Sequence, residues 1–494
     1  MTDATVGQTR PPISLGTKLF YGSGSLAFGA KDNGLQTFLL LFYSQALGLP
    51  PAWVSLAIAL VLLADAFIDP IVGQTSDNLK SRWGRRHPFM YGAAIPVAIS
   101  YVALWSPPHL SPPMLVTYMA VILIICRTFI SCYEIPSSAL VAELTDDYHQ
   151  RTTLLGFRYV FGWAGGLGMY ALAYLVFLQN PATGQLDLLH VEGYAHYGIA
   201  AAILMVLAIV ISSMGTHGQI PWLRQPPMEN RTLGQLAGDM ISTLRHRSFL
   251  MMLGVGLFSA MGQGVGFTLN AYILNYFWRL NSGQIVVLIA QSAIGAVAST
   301  FVAAYVSRRF GKRNAAIGLM ASSVLVGAMP MTLRLLGLFP ENGSDMLVPA
   351  LLLFGSFSSS TGIAASILVS SMIADVVEDS ELRTGKRSEG LFFSAAAFVN
   401  KAVSGAGILS AGLILGLIHF PVGATADQIG ADVLRNLALL YIPVTLGLYS
   451  IAIAFMCFYA ISKTSHEDNL RKLAEDEVAA AETLREAGGA PLTP

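Results

Sequence analysis

Charge is what this sequence has least of. Only 12% of its 494 residues are Asp, Glu, Lys or Arg, against about 25% in a typical soluble domain, while 54% are hydrophobic. A chain with so few charges cannot cover a water-facing surface, and its mean hydropathy of +0.59 describes a polytopic membrane protein. Formal net charge is zero, which removes any electrostatic case for a nucleic-acid partner. Cysteine is scarce too: Cys126, Cys132 and Cys457 all fall in apolar segments, and they suggest neither a disulfide framework nor a zinc cluster. No phosphate-cradling Gly-Lys-Ser/Thr loop, His-Glu-x-x-His pair or Gly-x-Ser-x-Gly elbow occurs, which leaves the usual enzyme chemistries unsupported and implies no cofactor. Residues 1–14 are polar and lack the apolar core of a cleavable signal, so the first membrane helix is expected to direct insertion.

What the chain does have is long apolar runs. With about 20 residues needed to cross a bilayer, twelve spans are expected, at 18–47, 51–73, 88–105, 114–141, 153–178, 194–214, 249–276, 282–306, 315–336, 346–376, 391–418 and 434–461. The first is the least regular, being interrupted by Gly22, Gly24, Gly29 and Gly34. Basic residues, among them Arg85, Arg86, Arg151, Arg308, Arg309, Lys312 and Arg313, gather in the even-to-odd loops. By the positive-inside rule both termini are then cytoplasmic, and those arginines need be no more than solvated loop charges.

Two segments repeat. Ser81-Arg82-Trp83-Gly84-Arg85-Arg86 after span 2 returns as Ser307-Arg308-Arg309-Phe310-Gly311-Lys312-Arg313 after span 8, and Leu140-Val141-Ala142-Glu143 after span 4 as Met372-Ile373-Ala374-Asp375 after span 10. Both echoes sit about 230 residues apart, which indicates two parallel repeats of six spans. The expected organisation is a cytoplasmic segment 1–17, a six-helix bundle 18–214, a cytoplasmic loop 215–248, a second bundle 249–461 and a charged tail 462–494 that forms a helix to about Arg485. Such paired bundles alternate access to a site at mid-membrane between them.

Ionisable residues inside spans are the candidates for function, because each needs a partner or a water-filled cavity. They are Lys31 and Asp32 on span 1, Asp65 and Asp69 on span 2, Arg127 and Glu134 on span 4, Arg158 on span 5 and Lys401 on span 11. Asp65 and Asp69, four apart, share one helix face, and two acids so close in an apolar medium call for a proton, a metal ion or a basic partner. Pro70 and Pro136 free backbone carbonyls beside the acids. Ser131, one turn before Glu134, is placed to point into the same space. Arg158 and Lys401 are expected to neutralise the acids between loadings, Arg127 less so. Lys31 and Asp32 diverge by about 100° around the helix, and Asp32 is favoured as the solute contact. Trp163 is counted with the solute contacts, although aromatics inside spans more often serve packing, as expected for Tyr133 and Tyr159. Asn270, Tyr272, Tyr276 and Trp278, near the outer end of span 7, read as an interfacial belt.

With these residues in view, the sequence resembles the glycoside-pentoside-hexuronide:cation symporters of the major facilitator superfamily. The likeness covers nearly the whole chain. It is carried by Tyr21-Gly22-x-Gly24; Asp65-Ala66-x-x-Asp69-Pro70 with Gly73; Asp77 with Ser81-Arg82-Trp83-Gly84-Arg85-Arg86-x-Pro88; Ile135-Pro136-x-x-Ala139-Leu140-Val141 with Leu144-Thr145 and Arg151; and Ala374-Asp375-x-x-Glu378 with Thr384-Gly385-Lys386-Arg387-x-Glu389-Gly390. The resemblance implies an all-α membrane protein of twelve transmembrane helices in two six-helix bundles. It implies a cation site at Asp65, Asp69 and Ser131, with Asp65 and Asp69 as metal ligands if the cation is sodium. It implies a solute site at Glu134, Arg158 and Lys401, beside Asp32.

Three positions depart from the family pattern. Gly29 stands at a sugar-binding aspartate, Ser138 at a tryptophan that stacks on the sugar, and Ile68 at an asparagine that helps bind sodium. The expectation is therefore a secondary active symporter of a sugar, glycoside or sugar acid in a bacterial inner membrane, coupled to H+ rather than Na+. Its partners are the small-molecule solute, the coupling cation and membrane lipid, and it is expected to act as a monomer. A lysolipid or other amphiphile is the alternative cargo.

Overall fold

A computed structural model of the protein describes residues 13–145, 147–223, 247–384 and 389–459. Helix dominates, because a backbone in hydrocarbon must satisfy its hydrogen bonds within the segment itself. Among the described residues, eleven helices are long and apolar enough to cross a membrane. They include the second span, Pro51–Asn78, the third, His87–Trp105, the fourth, Pro112–Leu144, the fifth, Tyr148–Leu172, and the sixth, Val191–His217. The seventh to twelfth are Arg247–Tyr272, Ser282–Phe310, Lys312–Leu335, Leu347–Thr384, Glu389–Leu417 and Ala431–Cys457.

The first span is assembled from pieces. Helices Leu15–Ser23 and Ser25–Asn33 lead into π-helical turns Gly34–Phe38 and Phe42–Ala46 around the short helix Leu39–Leu41. Its glycines let the fifth span come to backbone contact. A Cβ on Gly29 would lie 1.9 Å from the Gly162 carbonyl oxygen and 2.5 Å from the Gly166 nitrogen, and one on Gly165 would meet the Leu26 backbone at 2.5 Å. Such close approach supplies the van der Waals packing that holds helices together in lipid.

The chain forms two compact units. The first comprises residues 1–230, 264–290 and 404–437. In it the second span packs on the fourth, the third on the fourth and sixth, and the first on the fifth and sixth. The second unit comprises residues 231–263, 291–403 and 438–494. Its core joins Phe249 and Met252 of the seventh span, Ala316 and Met320 of the ninth, Met372 of the tenth and Met456 of the twelfth.

The aromatic belt expected at the end of the seventh span is instead part of the interior of the first unit. Tyr272, Tyr276 and Trp278 are all buried, and the first two pack edge-on against Phe420. Tyr272 shares a hydrogen bond with Ser44 at 2.6 Å, and Asn275 donates to the Tyr174 hydroxyl at 2.9 Å. Ser44, Tyr174 and Asn275 all lie in π-helical turns, at Phe42–Ala46, Ala173–Phe177 and Ile273–Phe277.

Nor are all the loop arginines merely solvated. Arg85 and Arg86 both donate to Glu143, Arg86 Nε at 2.5 Å, and Arg86 also reaches Asp77 at 3.2 Å. Arg151 donates from Nε to the Thr145 carbonyl at 3.0 Å, capping the end of the fourth span. The tail helix expected after Ser462, the stretch 224–246 and the Gly385-Lys386-Arg387 motif lie outside the described residues.

Candidate functional site

The second and fourth spans run parallel and in register. Asp65 faces Arg127 and Asp69 faces Ser131, each pair 62 positions apart, and Gly73 lies against Ile135 one turn further on. One helical turn on each helix thus makes one rung. On the first rung Arg127 Nε donates to Asp65 Oδ2 at 2.7 Å, with the two side chains 12% and 1% exposed. On the second, Ser131 Oγ donates to Asp69 Oδ1 at 2.7 Å, and Asp69 is half-buried. Pro70 and Pro136 stand inside these two helices, where each ring removes the donor for a carbonyl one turn earlier. That leaves polar backbone close to the acids.

The first span brings a third group. Lys31 is buried, and its ammonium lies 2.8 Å from Asp32 Oδ1 and 3.4 Å from Glu134 Oε2. The acids it holds keep one side open, with Asp32 47% and Glu134 39% exposed. Lys31 and Asp32 therefore divide the work that their angular divergence implies: the base faces the protein, the acid faces outward.

Arg158, on the fifth span, does not pair with the acids as expected. Its guanidinium donates to Ser137 Oγ at 2.9 Å, Ser138 Oγ at 2.8 Å and the Tyr21 hydroxyl at 3.3 Å. It also lies over the Tyr21 and Phe28 rings, 5.3 and 5.0 Å from their centroids. Tyr21 is fixed in turn by donating to the Ser137 carbonyl at 3.0 Å. Asp65 is instead paired with Arg127, the arginine less expected to neutralise the acids. Which residue of one span faces which of another depends on helix register, and no single-helix pattern encodes that. Ser137 and Tyr21 carry no signal as partners of Arg158 either, beyond being polar on neighbouring spans.

The other candidates each have surroundings of their own. Trp163 is 44% exposed and, five residues beyond Arg158, turned about 140° from it around the helix. Lys401 is half-buried on the eleventh span, in the second unit. Tyr133 is packing, as expected, fully buried and against Phe28, whereas Tyr159 is 72% exposed. Gly29 has no room for the aspartate that the family pattern carries there, since backbone fills the place of its Cβ. Among the described residues no three His, Cys, Asp or Glu side chains gather as a metal cluster.

Residues 20–463 match the model of the family described as MFS/sugar transport protein. The chain belongs to this family. Among relatives of this sugar-transport family member, an uncharacterized symporter of Synechocystis is 27% identical, across 84% of this chain and 86% of its own length. The isoprimeverose transporter of Lactiplantibacillus pentosus is 22% identical, across 90% and 88%. A glucuronide carrier protein homolog of Escherichia coli is 25% identical, across 86% and 88%. This company and the motifs place the chain in the glycoside-pentoside-hexuronide:cation branch of the major facilitator superfamily, a family of transporters and not of enzymes. Solved structures agree on the fold. A bacterial homologue of the human peptide transporters PepT1 and PepT2 superposes with a TM-score of 0.64 at 12% identity, covering 93% of this chain and 99% of its own. The xylose transporter XylE from E. coli, in a partially occluded inward-open form, gives 0.56 at 17%, covering 90% and 99%.

Proposed function

We propose that the protein is a secondary active carrier that moves a sugar, glycoside or sugar acid together with a proton across a bacterial inner membrane by alternating access, with both termini in the cytoplasm and the monomer as the working unit. The observation that carries this reading is the two-rung arrangement of Asp65 and Asp69 beside Asp32 and Glu134. Charged groups persist inside a membrane span only where they are paired or serve a polar path. In the spans of the first half, Asp32, Asp65, Asp69 and Glu134 stand against Lys31, Arg127 and Arg158. Four acids against three bases leave one formal negative charge.

That surplus gives a coupling rule. Empty, the group carries charge that opposes passage through a dry intermediate; with one cation loaded it is neutral. Asp69 is the residue we assign to the loading, because its partner Ser131 is a hydroxyl, which can donate to the ionised acid or accept from the protonated one. Ile68 offers no oxygen to sodium, which favours the proton. Asp32, Glu134 and Arg158 then supply acceptors and a fork of donors for a polyhydroxylated solute.

The test uses sealed vesicles, a panel of neutral and acidic sugars, and pH and sodium gradients imposed separately. The expected result is accumulation of one sugar class driven by the pH gradient. Asp69→Asn should abolish that accumulation while retaining exchange of the solute with no gradient applied. Full accumulation by Asp69→Asn overturns the assignment, and uptake or thermal stabilisation with lysolipids alone would replace the sugar by an amphiphile.

A further inference from the structure

Asp65 does not await a cation, since it already has one. Arg127 Nε sits 2.7 Å from its Oδ2, and both side chains are withdrawn from water. A guanidinium keeps its proton at every pH a cell reaches, so the positive charge delivered to Asp65 is permanent. We propose that Arg127 is a tethered substitute for a sodium ion, filling with a fixed charge the place beside Asp65 that sodium would need, and that it makes this carrier indifferent to sodium.

The argument is one of ligands and charge. A hard cation is bound by several oxygens at once. Along the paired helices, Asp69 and Ser131 offer oxygens, but Ile68 offers none and position 127 presents donors where lone pairs would be required. A sodium ion approaching Asp65 would stand against a like charge in a poorly screened medium. Drawing Arg127 aside to admit it would leave a buried cation without its acid, which is costlier than leaving the pair intact. Register makes the substitution specific. Arg127 precedes Ser131 by the same single turn by which Asp65 precedes Asp69, so the alignment that gives Asp69 a hydroxyl also gives Asp65 a guanidinium.

The inference rests on the reading of the protein as a cation-coupled carrier, but its test involves neither solute nor flux, so a failed uptake assay and a failed sodium test are separate outcomes. Purified full-length protein in detergent is dialysed to equilibrium against radioactive sodium, and its thermal unfolding is followed in sodium chloride and in choline chloride of equal ionic strength and pH. Wild type is expected to bind no sodium saturably and to unfold alike in both salts. Arg127→Gln, which opens the site, should gain saturable sodium binding and a sodium-specific rise in unfolding temperature. Both gains should vanish in Arg127→Gln/Asp69→Asn and in Arg127→Gln/Asp65→Asn. Saturable sodium binding by wild type overturns the proposal, as does a folded Arg127→Gln that acquires none. If Arg127→Gln fails to fold, Arg127→Thr takes its place in the same comparison, and a folded Arg127→Thr that binds no sodium overturns the proposal.

Discussion

Lys312 Nζ lies 2.6 Å from Asp375 Oδ1, and this pair is the second half's version of the contact that Arg85 and Arg86 make with Glu143 in the first. The two echoes seen in the sequence are thus the two ends of one ion pair, built twice. The versions differ in depth. Arg86 and Glu143 side chains are 7% and 6% exposed, whereas Lys312 is 36% exposed.

That difference ranks two substitutions. Glu143→Gln takes the shared carboxylate from two arginines and leaves the deeply buried Arg86 with the half-exposed Asp77, and should cost about 3 kcal/mol. Asp375→Asn releases a lysine that water already reaches and should cost about 1 kcal/mol or less. Thermal unfolding of the two variants in one detergent checks the order, and equal losses would show that the two pairs bear alike on stability.

Arg158 makes a second test, through the shape of its side chain. A lysine keeps the charge but cannot donate to Ser137 and Ser138 at once while lying over Tyr21 and Phe28. Arg158→Lys is therefore expected to weaken solute binding by about 1.5–3 kcal/mol, read as a rise in KM of ten-fold or more in vesicle uptake, with the choice of driving gradient unchanged. An unaltered KM would remove Arg158 from the solute site.

The contact between the first and fifth spans gives a third. A methyl group at Gly29 would strike the fifth span's backbone at Gly162 and Gly166, whereas one at Gly162 finds its nearest neighbour at 3.8 Å. Gly29→Ala should lose about 3 kcal/mol or fail to accumulate as folded protein, since backbone cannot yield as a side chain does. Gly162→Ala should be close to neutral, within about 0.5 kcal/mol. Folded yield and unfolding temperature distinguish them.

Much of this was legible in the sequence because the membrane makes it so. Hydrocarbon tolerates few charges, and the seven ionisable side chains from Lys31 to Arg158 stand out for that reason; five of the acids and bases do meet in two contact groups, Lys31 with Asp32 and Glu134, and Arg127 with Asp65. What the sequence withheld is pairing. That Arg127 rather than Arg158 pairs with Asp65 could not be read, because nothing within one helix tells how far a neighbouring helix is slid along it. Tyr272 and Trp278 were misplaced for a related reason: aromatics at a span's end usually meet headgroups, but here both are buried, Tyr272 against Phe420. The irregular first span was visible through its glycines, yet only the backbone of the fifth span explains why they are needed.

The constant interval of 62 between the second and fourth spans makes those helices a ruler for one another. Adding it to an intramembrane number on the former names its neighbour on the latter, so Ile58 should face Ala120 and Leu62 should face Ile124. Cysteine pairs or spin labels can be sited by arithmetic, and a one-residue insertion in either helix would throw every later rung out of step while leaving the earlier ones matched.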